Sequence, residues 1–503
     1  MPPSTDANIF EDLHIFEMAN NHQGSVAHGL RIVEQAARLA RKYRIRAAVK
    51  LQFRELDSFI HPDARGRDDI KHIPRFESTR LAESEFRQLV EATRQAGLLA
   101  VATPFDEPSV GLCARLGVDI IKIASCSATD WPLLEEVSRA RKPVIASTGG
   151  LSIYDIDNLM TFFSKRVPAL ALMHCVSLYP TLPQQQSMNF MAKMIRRYPH
   201  VTIGYSGHEA PDDFDVVKVA VAKGAKLLER HFGVPAEGVS LNAYSFDPEN
   251  AGRWIEAAQA ARAICGSDED KHVSQEEYEA LLQLQRGVFA RRPIAAGETI
   301  AREDVYFAMP CADGQLTSGQ FGRYRTHYVA SRDYAPDAPV FESCEPDSLS
   351  LLRGILHDAK GLVYEAGIAL GDDVSIEVSH HYGLERFRET GCVLVTSVNR
   401  EYCNKFLIML PGQQHPAHRH REKEETFHLL WGDLEVDLDG DIHRLKPGEK
   451  LLVERDQLHA FSTRGGCLFA EISTRSMRSD SHYEDASIAA KDPVERKTLV
   501  DSW

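Results

Sequence analysis

The sequence predicts an α/β chain in which a (β/α)8 barrel over residues 1–280 precedes a small β-rich module and a C-terminal all-β domain. Three observations predict it. Between His14 and Cys265, short apolar runs alternate with longer amphipathic ones. The runs HIFEMAN, AAVKLQF, LLAVATPF, DIIKIAS, KPVIAST, LALMHCV, VTIGYSG and KLLERHF read as strands, and segments such as VAHGLRIVEQAARLARKY and ESEFRQLVEATRQAG read as helices. About eight strand–helix units in roughly 250 residues is the count and length of a barrel. A doubly wound open sheet also alternates in this way, but no GxGxxG follows the first run.

The second observation is where the polar residues fall. They close the strand-like runs: Glu17 and Asn20, Lys50 and Gln52, Thr103 and Asp106, Lys122 and Ser125, Ser147 and Thr148, His174 and Ser177, Ser206 and His208, Glu229 and His231. In a barrel such ends converge on one face, where active sites are built. Lys50/Gln52 and Glu229/His231 have i, i+2 spacing, so each pair shares a side of its strand and is expected to point inward. One polar residue at a strand end is an ordinary loop edge; eight ends behaving alike argue for a site.

The third observation concerns the rest of the chain. RGVFARRPIAAGETIAREDVYFAMP carries a short strand and a Gly-containing turn, marking the β-rich module at 286–345. From 350 to 480, strands punctuated by tight glycine turns indicate a small β-barrel or jelly roll. Residues 481–503 are charged and without periodicity, and are expected to form a loose tail or a partner-contacting arm.

Composition narrows the function. A chain of 503 residues should hold more than one core. No run reaches the roughly 18 apolar residues of a membrane span, and the N-terminus carries no secretory pattern. A formal charge of -14 argues against nucleic acid or anionic membrane as partner. The nine cysteines are scattered without CxxC pairs, as expected of a cytoplasmic protein with reduced thiols.

Lysines turned into a barrel interior need a counter-charge or an anionic ligand, because an unpaired buried ammonium is costly. Lys50 and Lys122 could be neutralised structurally by Glu17 and Glu229, or could await an anion. His208 and His231 close consecutive strands and could share a metal, although without a fixed short spacing they could equally be core or phosphate-contacting residues.

EMANNHQGS, AAVKLQ, ATPFD, IKIAS, STGG, HCVSLYPT, IGYSGH and LLERHF resemble, in order and spacing, the motifs of the sialic acid (N-acetylneuraminate) synthase family. PIAAGETIAREDV resembles the antifreeze-like (SAF) domain that follows the family's TIM barrel. The resemblance implies a transferase that condenses phosphoenolpyruvate with an open-chain hexosamine or other aldose. The product is a nonulosonic, 2-keto-3-deoxy sugar acid, with release of phosphate. It assigns a divalent metal (Mn or Mg) to His208 and His231. Thr103, Ser125, Ser147, Ser177 and Ser206, with Lys50 and Lys122, would bind phosphoenolpyruvate, and Glu17, Gln52 and Tyr179 would orient sugar and water. A domain-exchanged homodimer is the assembly it implies.

The chain also departs from the family. Leu241 falls where an acidic residue normally stands beside the metal, with Asn242 as its polar neighbour. Met309-Pro310 replaces the Arg-Pro of the SAF domain, and Gly207 replaces an aspartate. The sugar half of the site therefore reads as rewritten.

In the C-terminal domain, GQQHPAHRHREKEETFHLLWG fits the first cupin motif through His418, His420 and Glu425, and His459 fits the second. These four can hold a second transition metal (Mn, Fe, Ni or Zn). His415 and Glu424 are expected beside that set rather than in it. The segment NKFLIMLPGQQHPAHRHREKEETFHLLWG resembles sugar-isomerase cupins of the lyxose isomerase type, which implies a sugar ligand. A catalytic isomerase, a noncatalytic sugar sensor and an inactive barrel serving as scaffold all stay open on the sequence.

Overall fold

The computed structural model describes residues 8–267, 271–321, 327–343, 347–371 and 374–501. Those parts of the sequence-derived segments that fall on 1–7, 268–270, 322–326, 344–346, 372–373 and 502–503 lie outside the described residues. The chain divides into two compact units, Met1–Asp270 and Lys271–Trp503.

The first unit is the expected barrel. Eight parallel strands close on themselves in sequence order: β1 (Leu13–Glu17), β2 (Arg46–Phe53), β3 (Leu99–Pro104), β4 (Ile120–Ile123), β5 (Val144–Ser147), β6 (Leu170–His174), β7 (Thr202–Gly207) and β8 (Leu227–His231). Each coincides with one of the eight apolar runs of the sequence. Closure is made by β1 against β8, with Glu17 level with His231.

Strand alternation sorts the side chains. Phe16, Val49, Leu51, Ala100, Ala102 and Ile121 face outward into a large core shared with the surrounding helices. The helix Val26–Tyr43 shows how that core is met. Ser25 caps it by accepting a hydrogen bond from the His28 N–H, and Ile32, Val33, Ala36 and Ala40 form its buried stripe. The inward residues Leu13, Ile15, Ala48, Val101, Ile120, Ile145, Ala171, Met173 and Leu227 make a separate apolar floor inside the barrel. Two residues further along the same strands stand Glu17, Lys50, Thr103, Lys122, Ser147 and Glu229. The barrel interior therefore turns from apolar to polar within one step of the strand repeat, and that step fixes the position of the site.

The second unit begins with a small β module holding β9 (Gly287–Ala290), β10 (Thr299–Ile300), β11 (Val305–Ala308) and β12 (Tyr328–Val329). Its core is Val288, Ala290, Ile294, Ile300, Val305, Leu316, Tyr328, Tyr334 and Val340. The helix Ser348–Glu365 then leads into two facing sheets.

One sheet contains β13 (Ser375–Ser379), β14 (Cys392–Asn399) and β15 (Tyr402–Met409); the next strand, β16 (Gln414–Arg419), belongs to the other. The chain continues with β17 (Glu425–Gly432), β18 (Leu434–Leu438), β19 (Asp441–Leu445), β20 (Lys450–Val453), β21 (His459–Ser462), β22 (Cys467–Thr474), β23 (His482–Tyr483) and β24 (Lys497–Val500). The seven-stranded sheet runs β20-β17-β22-β15-β14-β13-β24 and the five-stranded sheet β19-β18-β21-β16-β23.

The tail departs from the sequence reading. Residues expected to form a loose end contribute β23, paired with β16, and β24, paired along β13 from Ser379↔Lys497 to Ile376↔Val500. The strands are too short to show a period of two, yet the backbone of β13 offers β24 an open edge and that of β16 offers one to β23. Among the described residues no helix is long and apolar enough to cross a membrane, and the described cysteines are all unpaired.

Candidate active site and metal centre

The polar layer of the barrel surrounds a cavity of about 930 Å³, at the upper end of the roughly 300–1,000 Å³ of ordinary small-molecule sites. It is lined by most of the barrel residues singled out in the sequence: Glu17, Asn20, Lys50, Gln52, Thr103, Lys122, Ser125, Ser147, Ser177, Tyr179, Ser206, His208, Glu229 and His231. Asp106, Thr148 and His174 stand outside it: Asp106 caps the helix Glu107–Leu116, Thr148 donates to the Met173 carbonyl and His174 is bonded to the Gln186 carbonyl.

Lys50 is the centre of its charge. Its Nζ lies 2.5 Å from Glu17 and 2.8 Å from Glu229, all three side chains being buried. Burial opposes the ammonium charge, but the two carboxylates outweigh it and hold Lys50 above the usual lysine range. Burial would also raise Glu229, yet Lys122 and Lys50 bring it down to about 2. Burial, only partly offset by Lys50, pushes Glu17 upward.

Lys122 is less well compensated. It stands 3.8 Å from Glu229 and donates to the Ser147 hydroxyl, and burial lowers its pKa. Thr103 Oγ1 and Glu229 Oε2 are buried with no hydrogen-bond partner among the described residues. Buried polar groups are rarely left without a partner, which makes these two atoms candidate ligand contacts.

Gly149, in the STGG segment, lets the walls close. A Cβ there would come within 2.4 Å of Ser177 Oγ and 2.8 Å of Ser125 Oγ. Without it the two hydroxyls share one wall, and Ser125 Oγ accepts from the Gly149 N–H at 3.1 Å.

His208 and His231 stand together with ring centroids 5.6 Å apart. The Val176 carbonyl can only accept, so it fixes the proton of His208 on Nδ1 at 2.9 Å and leaves Nε2 as a lone pair. Burial holds His208 down at about 4 and His231 well below the usual histidine range, so both rings are neutral donors at neutral pH. His231 Nδ1 is buried and unpartnered. These are the properties of metal-ligating imidazoles, so the pair fits a divalent ion. Tyr179 packs on His208 at 4.2 Å and Tyr244 on His231 at 5.0 Å.

The departures have physical reasons. A Cβ at Gly207 would sit 2.5 Å from Glu209 Oε2, so the buried Glu209–Arg230 pair fills the space an aspartate would need. Leu241 lies against Gly233, and Asn242 Oδ1 accepts from the Tyr244 N–H. Asn242 is therefore a turn-former, although it lines the cavity. Sequence reasoning missed Arg54, Lys71, His72, Arg75 and Tyr244, which also line it. Arg54 follows Gln52 at i+2, and that spacing was the available signal.

The C-terminal site is narrower, a cavity of about 270 Å³ between the sheets. His418, His420 and His459 are buried and bring their ligand atoms within 4.8 Å of one another. Each ring is held by a backbone carbonyl at Nδ1: His418 by Pro416 at 3.1 Å, His420 by Asp480 at 2.6 Å and His459 by Gln457 at 3.1 Å. All three protons are thereby fixed on Nδ1, and three Nε2 lone pairs converge.

Glu425 Oε1 joins them, 2.9 Å from His459 Nε2 and 3.8 Å from His420 Nε2. Two acceptors that close want a cation between them, and His459 Nε2 makes no hydrogen bond. The four residues fit a divalent transition metal. His415 stands beside the set, stacked on Phe461 at 4.3 Å, and Glu424 is exposed.

Three partners of this site were not singled out in the sequence. Lys423 bridges Glu425 and Glu471, the latter at 2.9 Å. Alternation alone puts residues 423 and 425 on one side, a signal inside the motif itself. Asp480 and Tyr483, whose ring stacks on His418 at 5.2 Å, come from around the segment read as a tail, where nothing in the pattern announces them.

Residues 39–270 match the NeuB family model, and residues 405–470 match the cupin domain model. A solved structure from Chromobacterium violaceum, described as a spore coat polysaccharide biosynthesis protein E, is 44% identical over 66% of this chain and 98% of its own, with a TM-score of 0.64. The N-acetylneuraminate-9-phosphate synthase of Drosophila melanogaster is 30% identical over 43% of this chain and 59% of its own length. The N,N'-diacetyllegionaminic acid synthase of Legionella pneumophila is 29% identical over 46% of this chain and 65% of its own.

Proposed function

The chain belongs to the NeuB family, and from that premise we propose that its barrel condenses phosphoenolpyruvate with an open-chain aldose to give a nonulosonic, 2-keto-3-deoxy sugar acid and phosphate. The observation that carries this reading is the inward polar layer. It combines two buried lysines, an unpartnered threonine hydroxyl and a wall of serines in one cavity large enough for two co-substrates. A ligand with both carboxylate and phosphate is the chemistry such donors await.

In this reading Lys50, Lys122, Thr103, Ser125, Ser147, Ser177 and Ser206 bind phosphoenolpyruvate. Glu17, Gln52 and Tyr179 orient the sugar and the attacking water. A new bond forms between C3 of phosphoenolpyruvate and the aldehyde carbon, water adds at C2, and the C2–O bond to phosphate breaks. His208 and His231 hold a divalent Mn or Mg, which when bound polarises the aldehyde oxygen. The ordering of both partners in one cavity supplies the proximity the condensation needs. A panel of aldoses incubated with phosphoenolpyruvate tests it: aldose-dependent phosphate release is expected, and Lys122→Ala should lower it about 100- to 1,000-fold. Phosphate release that ignores the aldose would overturn the reading.

For the C-terminal domain we propose a second metal on His418, His420, Glu425 and His459, with a sugar as ligand. That ligand is either isomerised there or only sensed. Metal analysis should give about two ions per chain, falling to one in the His418→Ala/His420→Ala variant; unchanged content would refute the site. The module at 286–345 is taken as an SAF domain serving a domain-exchanged homodimer, which light scattering tests, a monomer at micromolar concentration refuting it.

A further inference from the structure

Five cationic side chains line the barrel cavity, Lys50, Lys122, Arg54, Lys71 and Arg75, against two carboxylates, Glu17 and Glu229. Lys50 contacts both carboxylates and Lys122 stands beside Glu229, so this pair of lysines is internally balanced. Arg54, Lys71 and Arg75 have no carboxylate within 4.0 Å among the described residues, which leaves three lining cations outside any ion pair.

Arg54 is the informative one. It stands two residues beyond Gln52 on the same side of the chain, and its Nη1 donates to Gln52 Oε1 at 3.0 Å. Its guanidinium is stacked between Phe105 at 3.6 Å and Phe76 at 4.2 Å, which hold the plane rigidly without neutralising its charge. Its Nε is buried and without a hydrogen-bond partner among the described residues. The nearby acids Glu17 and Asp106 act on it only through space, Glu17 being paired with Lys50 and Asp106 accepting from the Glu55 and Ser109 N–H groups. Glu55 itself leans to Arg80. Burial pushes the Arg54 pKa down to about 10, still charged at neutral pH. Lys71 and Arg75 add exposed charge at the rim, Arg75 donating to the Asn20 carbonyl at 3.2 Å.

Charge balance then constrains the second substrate. Phosphoenolpyruvate brings up to three negative charges and the metal two positive ones, so the loaded cavity still carries about two positive charges. Resting on the condensation proposed above, we infer that the acceptor aldose bears an anionic group, a phosphate monoester or a carboxylate, that is bound by Arg54 with Lys71 and Arg75 at the cavity mouth. Arg54 is a specificity-determining residue, and a planar guanidinium with free N–H groups is the donor suited to either anion.

The test compares hexose 6-phosphates, hexuronic acids and their neutral parents as acceptors, reading the loss of phosphoenolpyruvate. An anionic acceptor should be favoured about 10- to 100-fold in kcat/KM over its neutral parent. The phosphate and carboxylate arms separate the two anions. Arg54→Gln should bring the ratio close to one through the acceptor's KM, Arg54→Lys should keep part of it, and Arg75→Gln should reduce it less. Calorimetry of unreactive hexitol 6-phosphates against the phosphoenolpyruvate-loaded protein reads the same site without turnover, with binding expected in the wild type and lost in Arg54→Gln. Equal or better use of the neutral aldoses, with a ratio unaffected by Arg54→Gln, overturns the inference and leaves the condensation standing. So does an Arg54→Gln effect confined to the KM of phosphoenolpyruvate. If no aldose of any kind drives loss of phosphoenolpyruvate and no hexitol phosphate binds, both readings fall.

Discussion

The barrel site and the C-terminal site solve opposite problems. The barrel cavity, about 930 Å³, is held open by charges that neutralise one another, Lys50 between Glu17 and Glu229. The C-terminal cavity, about 270 Å³, is organised around lone pairs that do not neutralise one another: three Nε2 atoms and Glu425 Oε1 aimed at one point. The first is preorganised by ion pairs and is expected to persist without ligands. The second is preorganised by backbone carbonyls and calls for a cation at its centre. His208 in the barrel is held at Nδ1 by a backbone carbonyl just as the three C-terminal rings are, so the two sites differ in the charges around their histidines and not in how the rings are fixed.

The comparison breaks most sharply at Glu229. Glu229→Leu leaves two buried ammonium groups with only Glu17 between them, which should cost about 3–5 kcal/mol of barrel stability. Denaturant unfolding measures it. A barrel unfolding transition shifted by less than about 1 kcal/mol would mean the lysines are not held by ion pairing.

A buried histidine outside both sites sharpens the contrast. His14 lies in the barrel near Trp254, ring centroids 5.6 Å apart, and burial holds its pKa at about 4. The unfolded chain takes up that proton near 6.5, the ordinary value for a histidine. Stability from His14 is therefore full above about 6.5 and is lost as pH falls toward 4, amounting to about 2 kcal/mol between pH 6.5 and 5. His14→Leu should flatten the pH dependence of unfolding by that amount, whatever it does to the absolute stability. An unchanged slope would place the proton linkage elsewhere.

A smaller effect tests the carbonyl restraint in the C-terminal site. Asp480 holds His420 through its carbonyl and caps the chain at Arg421, Glu422 and Lys423 with its carboxylate. Asp480→Ala should loosen that segment and weaken metal binding about 10- to 100-fold, leaving condensation by the barrel unchanged. Undiminished metal affinity would show that the carboxylate does not set the His420 position.

How far the sequence carried the two sites follows from the same contrast. The polar layer of the barrel was legible because a strand of period two fixes which side each residue takes, and Lys50, Lys122 and Glu229 needed nothing more; Ser125, Ser177 and Tyr179 lie beyond the strands and were placed by the family resemblance. The four C-terminal metal-ligand candidates were legible from H-x-H spacing and the returning Glu425. Asp480, Tyr483 and the edge strand Lys497–Val500 were not, because backbone carbonyls carry no residue signature and a two- or four-residue strand shows no period. Arg54 was hidden for another reason: its meaning comes from Phe76 and Phe105, which lie far from it in sequence and only meet it in space.

The central claim is that the barrel joins phosphoenolpyruvate to an aldose by breaking the C2–O bond. Running the reaction in ¹⁸O-labelled water, with mass spectrometry of both products, tests it most directly. The account predicts a sugar acid equal to the aldose plus one pyruvate unit, with unlabelled phosphate. Labelled phosphate with free pyruvate and no adduct would contradict it, because the bond broken would then be P–O and the barrel would be a phosphatase.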